Sequence, residues 1–402
     1  MTLQPIYKPK KSLLVVGGTG VISYAVVCEA VRQGFLVTCI NRGKSKNQQL
    51  PDEVEVLIAD YRNRTQMESL LAGRFFDSVV DVLCFSEKDI DYSVSLFRRK
   101  TKQYIFFSSC AVYNKGCGDY VCTEDSKLIN PVWDYSINKV RCENKLIDLA
   151  RELNFKYTIV RPAVTYGNTR IPYGITPPYG FHGTIIKRIL HKKPIILWDG
   201  GEAYSTITHV DDFAFGLVGL LGNEKAHNQA FHIVGDERYK WKNVVEILGE
   251  ILGVTPVLFS VSKETLAKEI PNRRGEILGG RGISQLLDNS KIKSVVPDFK
   301  TTIPLKEGLK RTIDYYLSHN YLSGIDYKFD ADWDRIVQKF SKKDEKYHLG
   351  FIDYLGTATM RDRVRYYREF FKSSFLVKFF RFLLRVRKIP RLLGHSGPRI
   401  KV

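Results

Sequence analysis

Short runs of apolar residues alternate with helix-compatible stretches through the first 165 residues of the chain. Such runs, rich in β-branched and aromatic residues, are typical of buried strands. Strands that alternate with helices form parallel sheets, because parallel neighbours need a connection that crosses over the sheet. The pattern therefore predicts an α/β protein with a doubly wound parallel sheet, whose strands lie at residues 13–16, 36–40, 54–58, 78–83, 104–108 and 157–161.

The pattern loosens after residue 161. Prolines and glycines interrupt residues 166–182, so we expect a loop whose shape depends on what it contacts. Further helices are predicted at 212–221 and 241–252, and from about Tyr327 onward the sequence becomes charged and aromatic. We therefore expect the sheet domain to be followed by a second region and then by a distinct C-terminal segment.

The composition is that of a globular protein, with 402 residues of which 44% are hydrophobic. The net charge is +19, and residues 361–402 hold 13 basic residues against two acidic ones, a local excess of +11. The rest of the chain is only mildly basic, which argues against a nucleic-acid-binding body. No apolar run reaches the roughly 18 residues of a membrane-spanning helix. The seven cysteines include no Cys-x-x-Cys pair, so we expect reduced thiols in a cytoplasmic protein and no metal site.

A glycine-rich turn, Gly17-Gly-Thr-Gly20, follows the first predicted strand. Glycines at a strand-to-helix turn let the backbone approach a pyrophosphate, and the helix N-terminus supplies amide N–H groups. Ser23, which is small, occupies the place of the third glycine in the usual spacing. The residues expected to bind a dinucleotide here are Gly17, Thr19, Gly20, Val21 and Ile22.

The end of the second predicted strand bears on which dinucleotide is bound. NAD enzymes usually present a carboxylate there to the ribose 2′-OH, whereas this chain has Asn41 and Arg42. Arg42 is suited to hold a 2′-phosphate, so NADP is favoured over NAD; a solvated loop cation is the alternative. Asp60, after the third predicted strand, is expected to accept a hydrogen bond from the adenine amine, with an ordinary turn residue as the alternative.

Tyr135 and Lys139 lie one helical turn apart. A phenol has a pKa near 10, so acid–base work at neutral pH needs that pKa lowered. We expect the Lys139 ammonium to lower it and to bond the nicotinamide ribose. The strand predicted at 104–108 ends in the hydroxyls of Ser108 and Ser109, at the sheet edge where ligands bind. This set of side chains is suited to move a proton while a nicotinamide moves a hydride.

Together these segments resemble the extended short-chain dehydrogenase/reductase family, the NAD(P)-dependent epimerases and dehydratases of nucleotide sugars. The resemblance implies that Tyr135 is the acid/base, that Lys139 is its partner, and that Ser109 is the third catalytic residue. It covers about residues 11–318, and the matching stretches are 16–22, 108–113, 135–139, 161–167, 208–212 and 288–291.

The resemblance also implies how the chain is divided. We expect a Rossmann core at 11–165, to which segments around 205–235 return, and a smaller, mainly substrate-binding domain at 166–326. Residues 327–402 are predicted to form a basic, aromatic C-terminal appendage.

The residues after Ser109 bear on the reaction. The family's dehydratases have an Asp-Glu pair there, whereas this chain has Cys110 and Ala111, so dehydration is disfavoured. Epimerisation through transient oxidation at sugar C4 remains, with one-way reduction of a 4-keto-sugar as the alternative. A keto-reducing branch of the family uses a cysteine and a histidine as additional acids, which makes Cys110 and His182 candidate substrate contacts; an ordinary loop histidine is the alternative for His182.

Substrate phosphates should need arginine, whose fork of donors matches phosphate oxygens. The arginine that the family often has before the 208–212 stretch is absent from residues 203–206. Arg273 and Arg274 resemble the family's other arginine position and are predicted to bind substrate, with Arg281 as a further candidate. A basic surface turn is the alternative.

A helical interpretation of residues 370–388 places phenylalanines on one face and a basic stripe beside it. This arrangement suits peripheral contact with an anionic membrane at its inner face, and packing on the enzyme body or a second subunit is the alternative. We expect a homodimer that acts on a nucleotide-sugar in surface-glycan precursor synthesis, with no nucleic-acid partner. The rival is a non-catalytic nucleotide-, RNA- or membrane-binding protein on the same fold, against which the intact Ser109, Tyr135 and Lys139 argue.

Overall fold

The computed structural model describes residues 10–44, 48–113, 121–178, 180–319 and 324–372. The strands are β1 (Ser12–Val16), β2 (Leu36–Asn41), β3 (Glu55–Ile58), β4 (Phe76–Asp81), β5 (Thr101–Phe107), β6 (Val121–Cys122), β7 (Tyr157–Val160), β8 (Val164–Tyr166), β9 (Ile195–Trp198), β10 (Tyr204–His209), β11 (Gln229–Phe231), β12 (Arg238–Lys240), β13 (Leu258–Val261) and β14 (Leu286–Leu287).

The helices cover both faces of the sheet and build most of the second region. They are α1 (Val21–Arg32), α2 (Arg64–Leu70), α3 (Glu87–Phe97), α4 (Asp134–Leu153), α5 (Gly183–Leu190), α6 (Val210–Leu220), α7 (Trp241–Leu252), α8 (Lys263–Glu269), α9 (Arg274–Glu276), α10 (Ser290–Val295), α11 (Leu305–Ser318), α12 (Tyr327–Phe340) and α13 (Met360–Phe370).

The central sheet has seven strands in the order β11-β7-β5-β4-β1-β2-β3, and every neighbouring pair is parallel. This confirms the predicted doubly wound sheet. All six predicted strands belong to it, with ends displaced by at most three residues. The strand order reverses direction between β1 and β4, and in such sheets the ligand crevice lies at that point, beyond the carboxyl ends of the strands.

Alternate residues of β1 face opposite layers of the protein. Leu13 and Val15 belong to the core that α1 and α6 cover, whereas Leu14 and Val16 belong to the core on the other side, with residues of α3 and α4. Successive side chains of a strand point to opposite faces. A strand apolar at every position is therefore buried on both faces, as a parallel sheet requires.

The second region has its own core beside the carboxyl edge of the sheet. It contains the three-stranded sheet β12-β10-β8, the pair β13-β9 and the helices packed on them. Two large indoles, Trp198 and Trp241, are fully buried there with their ring centroids 5.7 Å apart. The predicted helix at 241–252 is present with those bounds, as α7.

The segment predicted as an appendage begins as part of this core. Phe329, Trp333, Ile336 and Val337 of α12 are buried in the same cluster as the side chains of the second region. The prediction of a distinct appendage from 327 is therefore wrong for α12. The sequence of this helix is rich in charge, but much of that charge is buried against residues far away in the chain.

Two of those charges, Asp330 and Asp334, form a buried ion cluster with two cations from earlier in the chain. Arg188 lies 2.5 Å from a carboxylate oxygen of Asp330 and 2.9 Å from one of Asp334, and Lys193 lies 2.9 Å from Asp330. Lys193 also contacts Asp334, and all four side chains are 0% exposed. Two cations before β9 are thus neutralised by two carboxylates on α12.

The helix predicted at 370–388 falls outside the described residues from 373 onward. Within the described part of the chain, no helix combines the length and hydropathy that a membrane crossing needs.

Candidate active site

The glycine-rich turn joins β1 to α1 at the strand-order reversal. Gly17 has a φ of +87°, and a Cβ there would lie 3.0 Å from a methyl group of Val82. Both the backbone conformation and the space therefore favour glycine. The side chain of Ser23 closes the turn, because its hydroxyl accepts from the Gly20 N–H at 3.0 Å and donates to the Gly17 carbonyl at 2.6 Å.

Two adjoining cavities extend from this turn. The first, of about 400 Å³, is lined by the predicted cofactor residues Gly17, Thr19, Gly20, Asn41, Arg42 and Asp60. Lys44, Arg62 and Asp89 also line it, so three basic residues stand against two acidic ones at the end that would receive the adenosine. The Asn41 amide nitrogen is buried and has no hydrogen-bond partner among the described residues. A basic cleft with an unsatisfied donor beside a glycine turn fits a dinucleotide.

The second cavity, of about 430 Å³, contains the predicted catalytic residues. It shares Gly20, Val82 and Phe85 with the first cavity. The other predicted cofactor and catalytic residues that line it are Val21, Ile22, Ser109, Tyr135 and Lys139. The structure thus brings all the predicted cofactor residues and the three predicted catalytic residues to one continuous crevice.

Lys139 is fixed by the ends of two strands. Its ammonium donates to the Cys84 carbonyl at 2.7 Å and to the Phe107 carbonyl at 2.6 Å. An ammonium has three donors, and the third remains for a hydroxyl in the cavity. Burial lowers the pKa of Lys139 below its ordinary value. The nitrogen lies 6.0 Å from the centroid of the Tyr135 ring.

Tyr135 lies beside Trp133 and lines the same cavity as Ser109. The ring centroids of Trp133 and Tyr135 are 5.0 Å apart. Burial raises the pKa of Tyr135 above its ordinary value, although the nearby Ser109 hydroxyl and the charges of Arg281 and Arg170 lower it. The expected lowering of this pKa is therefore wrong for the protein's own residues, because desolvation outweighs the nearby cations.

Cys110 and Gln285 bind each other at the wall of the second cavity. The Cys110 thiol donates to the Gln285 side-chain oxygen at 2.8 Å, and the Gln285 amide donates to the Cys110 carbonyl at 2.6 Å. Both residues line the cavity. Ser108 lines it as well, with a buried hydroxyl that has no partner among the described residues.

His182 lies behind the cavity rather than in its lining. Its side chain is buried, with the residue 1% exposed, and its Nδ1 accepts from the Ile171 N–H at 3.1 Å. Burial, together with the charge of Arg170, lowers the pKa of His182 to about 3. The ring therefore stays neutral and braces the loop after β8. The structure does not bring it to the residues that line the crevice.

Arg273 and Arg274 also lie outside the lining of the second cavity. Arg274 is exposed, and Arg273 lies 3.7 Å from Glu276. Instead, Arg281 and Arg170 line the cavity. Arg281 was a further candidate from the sequence, whereas Arg170, Gln285 and Trp133 were missed. They lie in loops or at element ends, where no periodic pattern marks a residue as facing a ligand.

Arg281 ends a π-helical turn, Ile277–Arg281, that continues α9. Such turns are rare and occur frequently at functional sites. Gly275 and Gly280 lie against Trp133, where a Cβ would come within 2.6 Å and 3.0 Å of the indole. The turn therefore packs closely on Trp133, whose ring lies beside that of Tyr135.

The sheet, the glycine turn and the Tyr-Lys helix define a Rossmann-type protein of the extended short-chain dehydrogenase/reductase type. A model described as the NAD dependent epimerase/dehydratase family matches residues 13–234, more than half of the chain. The chain belongs to this family, which confirms the resemblance seen in the sequence.

Individual relatives are more distant. The chloroplast stem-loop binding protein of 41 kDa b from Arabidopsis thaliana is 29% identical over 240 residues, which are 57% of this chain and 60% of that protein. The chain thus spans about three fifths of the length of this curated relative and of two others.

Two solved structures share the fold. A UDP-glucose 4-epimerase from Thermotoga maritima, solved with UDP-glucose, has a TM-score of 0.61 at 22% identity and covers 77% of this chain and 99% of its own. A UDP-glucuronic acid 4-epimerase from Bacillus cereus, in complex with UDP-glucuronic acid and NAD, has a TM-score of 0.62 at 19% identity with the same coverage. At these identities the likeness establishes the fold.

Proposed function

We propose that this protein is a nicotinamide-dependent nucleotide-sugar epimerase that acts by transient oxidation at sugar C4. The observation that carries the proposal is that Ser109, Tyr135 and Lys139 line one crevice with the glycine turn. A protein that only binds nucleotide does not need this combination of hydroxyl, phenol and ammonium. The likeness of the fold to the two UDP-sugar 4-epimerases supports it.

Each catalytic side chain has a defined task in this proposal. Tyr135 takes the proton of the sugar C4 hydroxyl, and Ser109 holds that oxygen through a hydrogen bond. Lys139, fixed by two strand ends, directs its remaining donor toward the nicotinamide ribose. A bound nicotinamide supplies the hydride acceptor. Return of the hydride to the opposite face of the sugar ketone inverts C4.

The residues beside Ser109 offer no route to dehydration. Ala111 carries no titratable group, and the Cys110 thiol is engaged by Gln285. Elimination of water needs an acid that protonates the leaving hydroxyl and a base that takes a proton from the adjacent carbon. Neither residue directly after Ser109 is placed to supply these groups, which favours epimerisation over dehydration.

The proposal is tested by incubating the purified protein with UDP-, GDP-, CDP- and dTDP-sugars and either nicotinamide cofactor. We expect one sugar to be converted to its C4 epimer with no net change in the absorbance of reduced nicotinamide. Net consumption of reduced cofactor with a 4-keto-sugar would show a reductase instead. No conversion of any sugar under either condition would contradict the proposal.

We further propose that NADP is preferred over NAD, because Arg42, Lys44 and Arg62 line the adenosine end of the crevice. The opposing observation is that the Bacillus cereus epimerase was solved with NAD. We expect Arg42→Ala to weaken NADPH binding about tenfold, since it removes a charge-assisted hydrogen bond to the 2′-phosphate. NADH binding should change little. Fluorescence titrations of both cofactors measure this.

Arg98→Ala is the matched control, since Arg98 is an exposed arginine outside the crevice lining. It should leave both affinities unchanged. Equal weakening of NADPH and NADH by Arg42→Ala, or weakening of neither, would rule out a role for Arg42 in cofactor choice.

The relative named for stem-loop binding raises a second candidate function, binding of a nucleic-acid hairpin. Gel-shift titration with an RNA hairpin, at low and high salt, tests it independently of sugar conversion. Membrane contact through 370–388, a homodimer and a role in surface-glycan synthesis also remain proposals, and they rest on the sequence pattern and the resemblance.

A further inference from the structure

Two arginines line the cavity beside the catalytic phenol. Arg170 reaches it from the loop after β8, and Arg281 from the π-helical turn after α9. Burial raises the pKa of Tyr135, and the charges of both arginines lower it. Burial also lowers the pKa of Arg281, and Arg170 contributes in the same direction. The phenol and both guanidinium groups line one cavity of about 430 Å³, so their charges interact across it.

Arg281 is fixed through its backbone, and its guanidinium lies 5.7 Å from the centroid of the Trp241 ring. The indole N–H groups of Trp198 and Trp241 both donate to the Arg281 carbonyl, each at 2.9 Å. The side chain is 17% exposed, and its Nε is buried without a hydrogen-bond partner among the described residues. The carboxylate of Glu276 lies 3.9 Å from that nitrogen, beyond hydrogen-bond reach.

Arg170 is held by bonds on both sides of its position. The Thr169 carbonyl accepts from the Tyr316 hydroxyl at 3.2 Å, and the Ile171 N–H donates to His182 at 3.1 Å. The Arg170 N–H itself donates to the Gly167 carbonyl at 3.0 Å. These three bonds fix the loop backbone at residues 169–171.

The cavity lining carries an excess of positive charge. Lys139, Arg170 and Arg281 stand against one acidic residue, Glu276. Guanidinium groups brought together in a partly desolvated space repel each other. An oxyanion between them removes that repulsion and satisfies the donor of Arg281.

We propose that Arg170 and Arg281 form an anion subsite for a carboxylate on the sugar ring, so that the preferred substrate is a nucleotide-linked uronate. This rests on the proposed function. The subsite adjoins Tyr135, and Tyr135 is placed at the C4 hydroxyl. A uronate carries its carboxylate on C5, next to C4, whereas the nucleotide diphosphate is attached at C1, across the ring. The arginine fork matches a carboxylate in two hydrogen bonds.

Ligand binding without turnover tests the subsite. Full-length Tyr135→Phe protein, saturated with oxidised cofactor, is titrated calorimetrically with UDP-glucuronate and UDP-glucose, and with the corresponding GDP-sugars. We expect the uronate of at least one pair to bind about tenfold more tightly than its neutral partner. In the Tyr135→Phe protein, the further substitution Arg281→Gln should remove that preference. It should weaken uronate binding about tenfold and change neutral-sugar binding little.

Three comparisons make the result decisive. Arg281→Lys keeps the charge but not the fork and should retain part of the preference. Arg311→Gln removes an equal charge from exposed α11 and should leave the preference intact. Because the Trp198 and Trp241 bonds go to the backbone, Arg281→Gln keeps them and should remain folded, with an unfolding temperature close to that of its parent.

Other outcomes would overturn the subsite. Equal affinity for uronate and neutral sugar in every pair would do so. Equal weakening of both sugars, and of UDP alone, by Arg281→Gln would show that the arginine holds the diphosphate. These binding results do not depend on catalysis. A preference for uronate binding, without conversion of any sugar by the wild type, would contradict the proposed epimerase activity but support the carboxylate subsite.

Discussion

Replacing Tyr135 by phenylalanine should lower kcat/KM for sugar conversion by about 10³-fold while leaving cofactor affinity nearly unchanged. In the proposed mechanism the phenol exchanges a proton with the C4 hydroxyl, and Ser109 holds that hydroxyl. The change removes a single oxygen, and the ring remains packed against Trp133. The loss should therefore lie in the chemical step. Steady-state kinetics with the sugar found in the substrate panel, together with cofactor titration, measure both quantities.

Tyr367→Phe is the matched control. Tyr367 is 46% exposed on α13 and takes no part in the crevice, so its variant should convert sugar at the wild-type rate. Activity of Tyr135→Phe within tenfold of the wild type would contradict the acid/base role. If Tyr135→Phe also lost cofactor binding, the ring would have a structural role that the geometry does not indicate.

The second large effect concerns stability. Asp334→Ala should reduce the free energy of unfolding by about 3–5 kcal/mol. The carboxylate faces Arg188 and Lys193 in a cluster with no solvent exposure. Its removal leaves two buried cations with Asp330 as their remaining partner in the cluster. Urea denaturation, monitored by far-UV circular dichroism, measures the change.

Glu250→Ala is a suitable control, because Glu250 and Lys306 form an exposed ion pair at 2.8 Å. Exposed pairs contribute about 0–1 kcal/mol, so this variant should be close to the wild type. A destabilisation by Asp334→Ala of less than about 1 kcal/mol would show that water reaches the cluster.

The same cluster makes stability depend on pH. Burial alone would raise the pKa of Asp334, but the charges of Arg188 and Lys193 hold it below its ordinary value. A carboxyl group with a lowered folded pKa stabilises the protein above its unfolded pKa, about 4. That stabilisation is lost as the pH falls through the lower folded pKa. Asp334→Ala should therefore lose less stability on acidification than the wild type.

The sheet was predictable because its information is local. An apolar run such as 13–16 is typical of a strand covered on both faces, and the turn at Gly17 needs a backbone conformation that favours glycine. Tyr135 and Lys139 were recognisable because one helical turn sets their spacing. The edge strand β11 was missed, since Gln229–Phe231 is too short to give a period.

The missed and misplaced features depend on distant contacts. Arg170 lines the cavity because hydrogen bonds with Tyr316 and His182 hold its loop. The sequence of residues 166–182 contains no pattern that predicts these bonds. The residues of α12 were predicted to belong to an appendage, because the partners of Asp330 and Asp334 are distant in sequence. The pKa of Tyr135 was expected to fall from the proximity of Lys139, but burial, which a sequence does not show, raises it.

The ion cluster has a consequence for how the polypeptide emerges from the ribosome. Arg188 is synthesised 142 residues before Asp330, and Lys193 precedes that aspartate by 137. Until the later helix is made, both cations lack the carboxylates that allow them to be buried. Burial of these two cations against their carboxylates therefore waits until α12 has been synthesised and has left the ribosome.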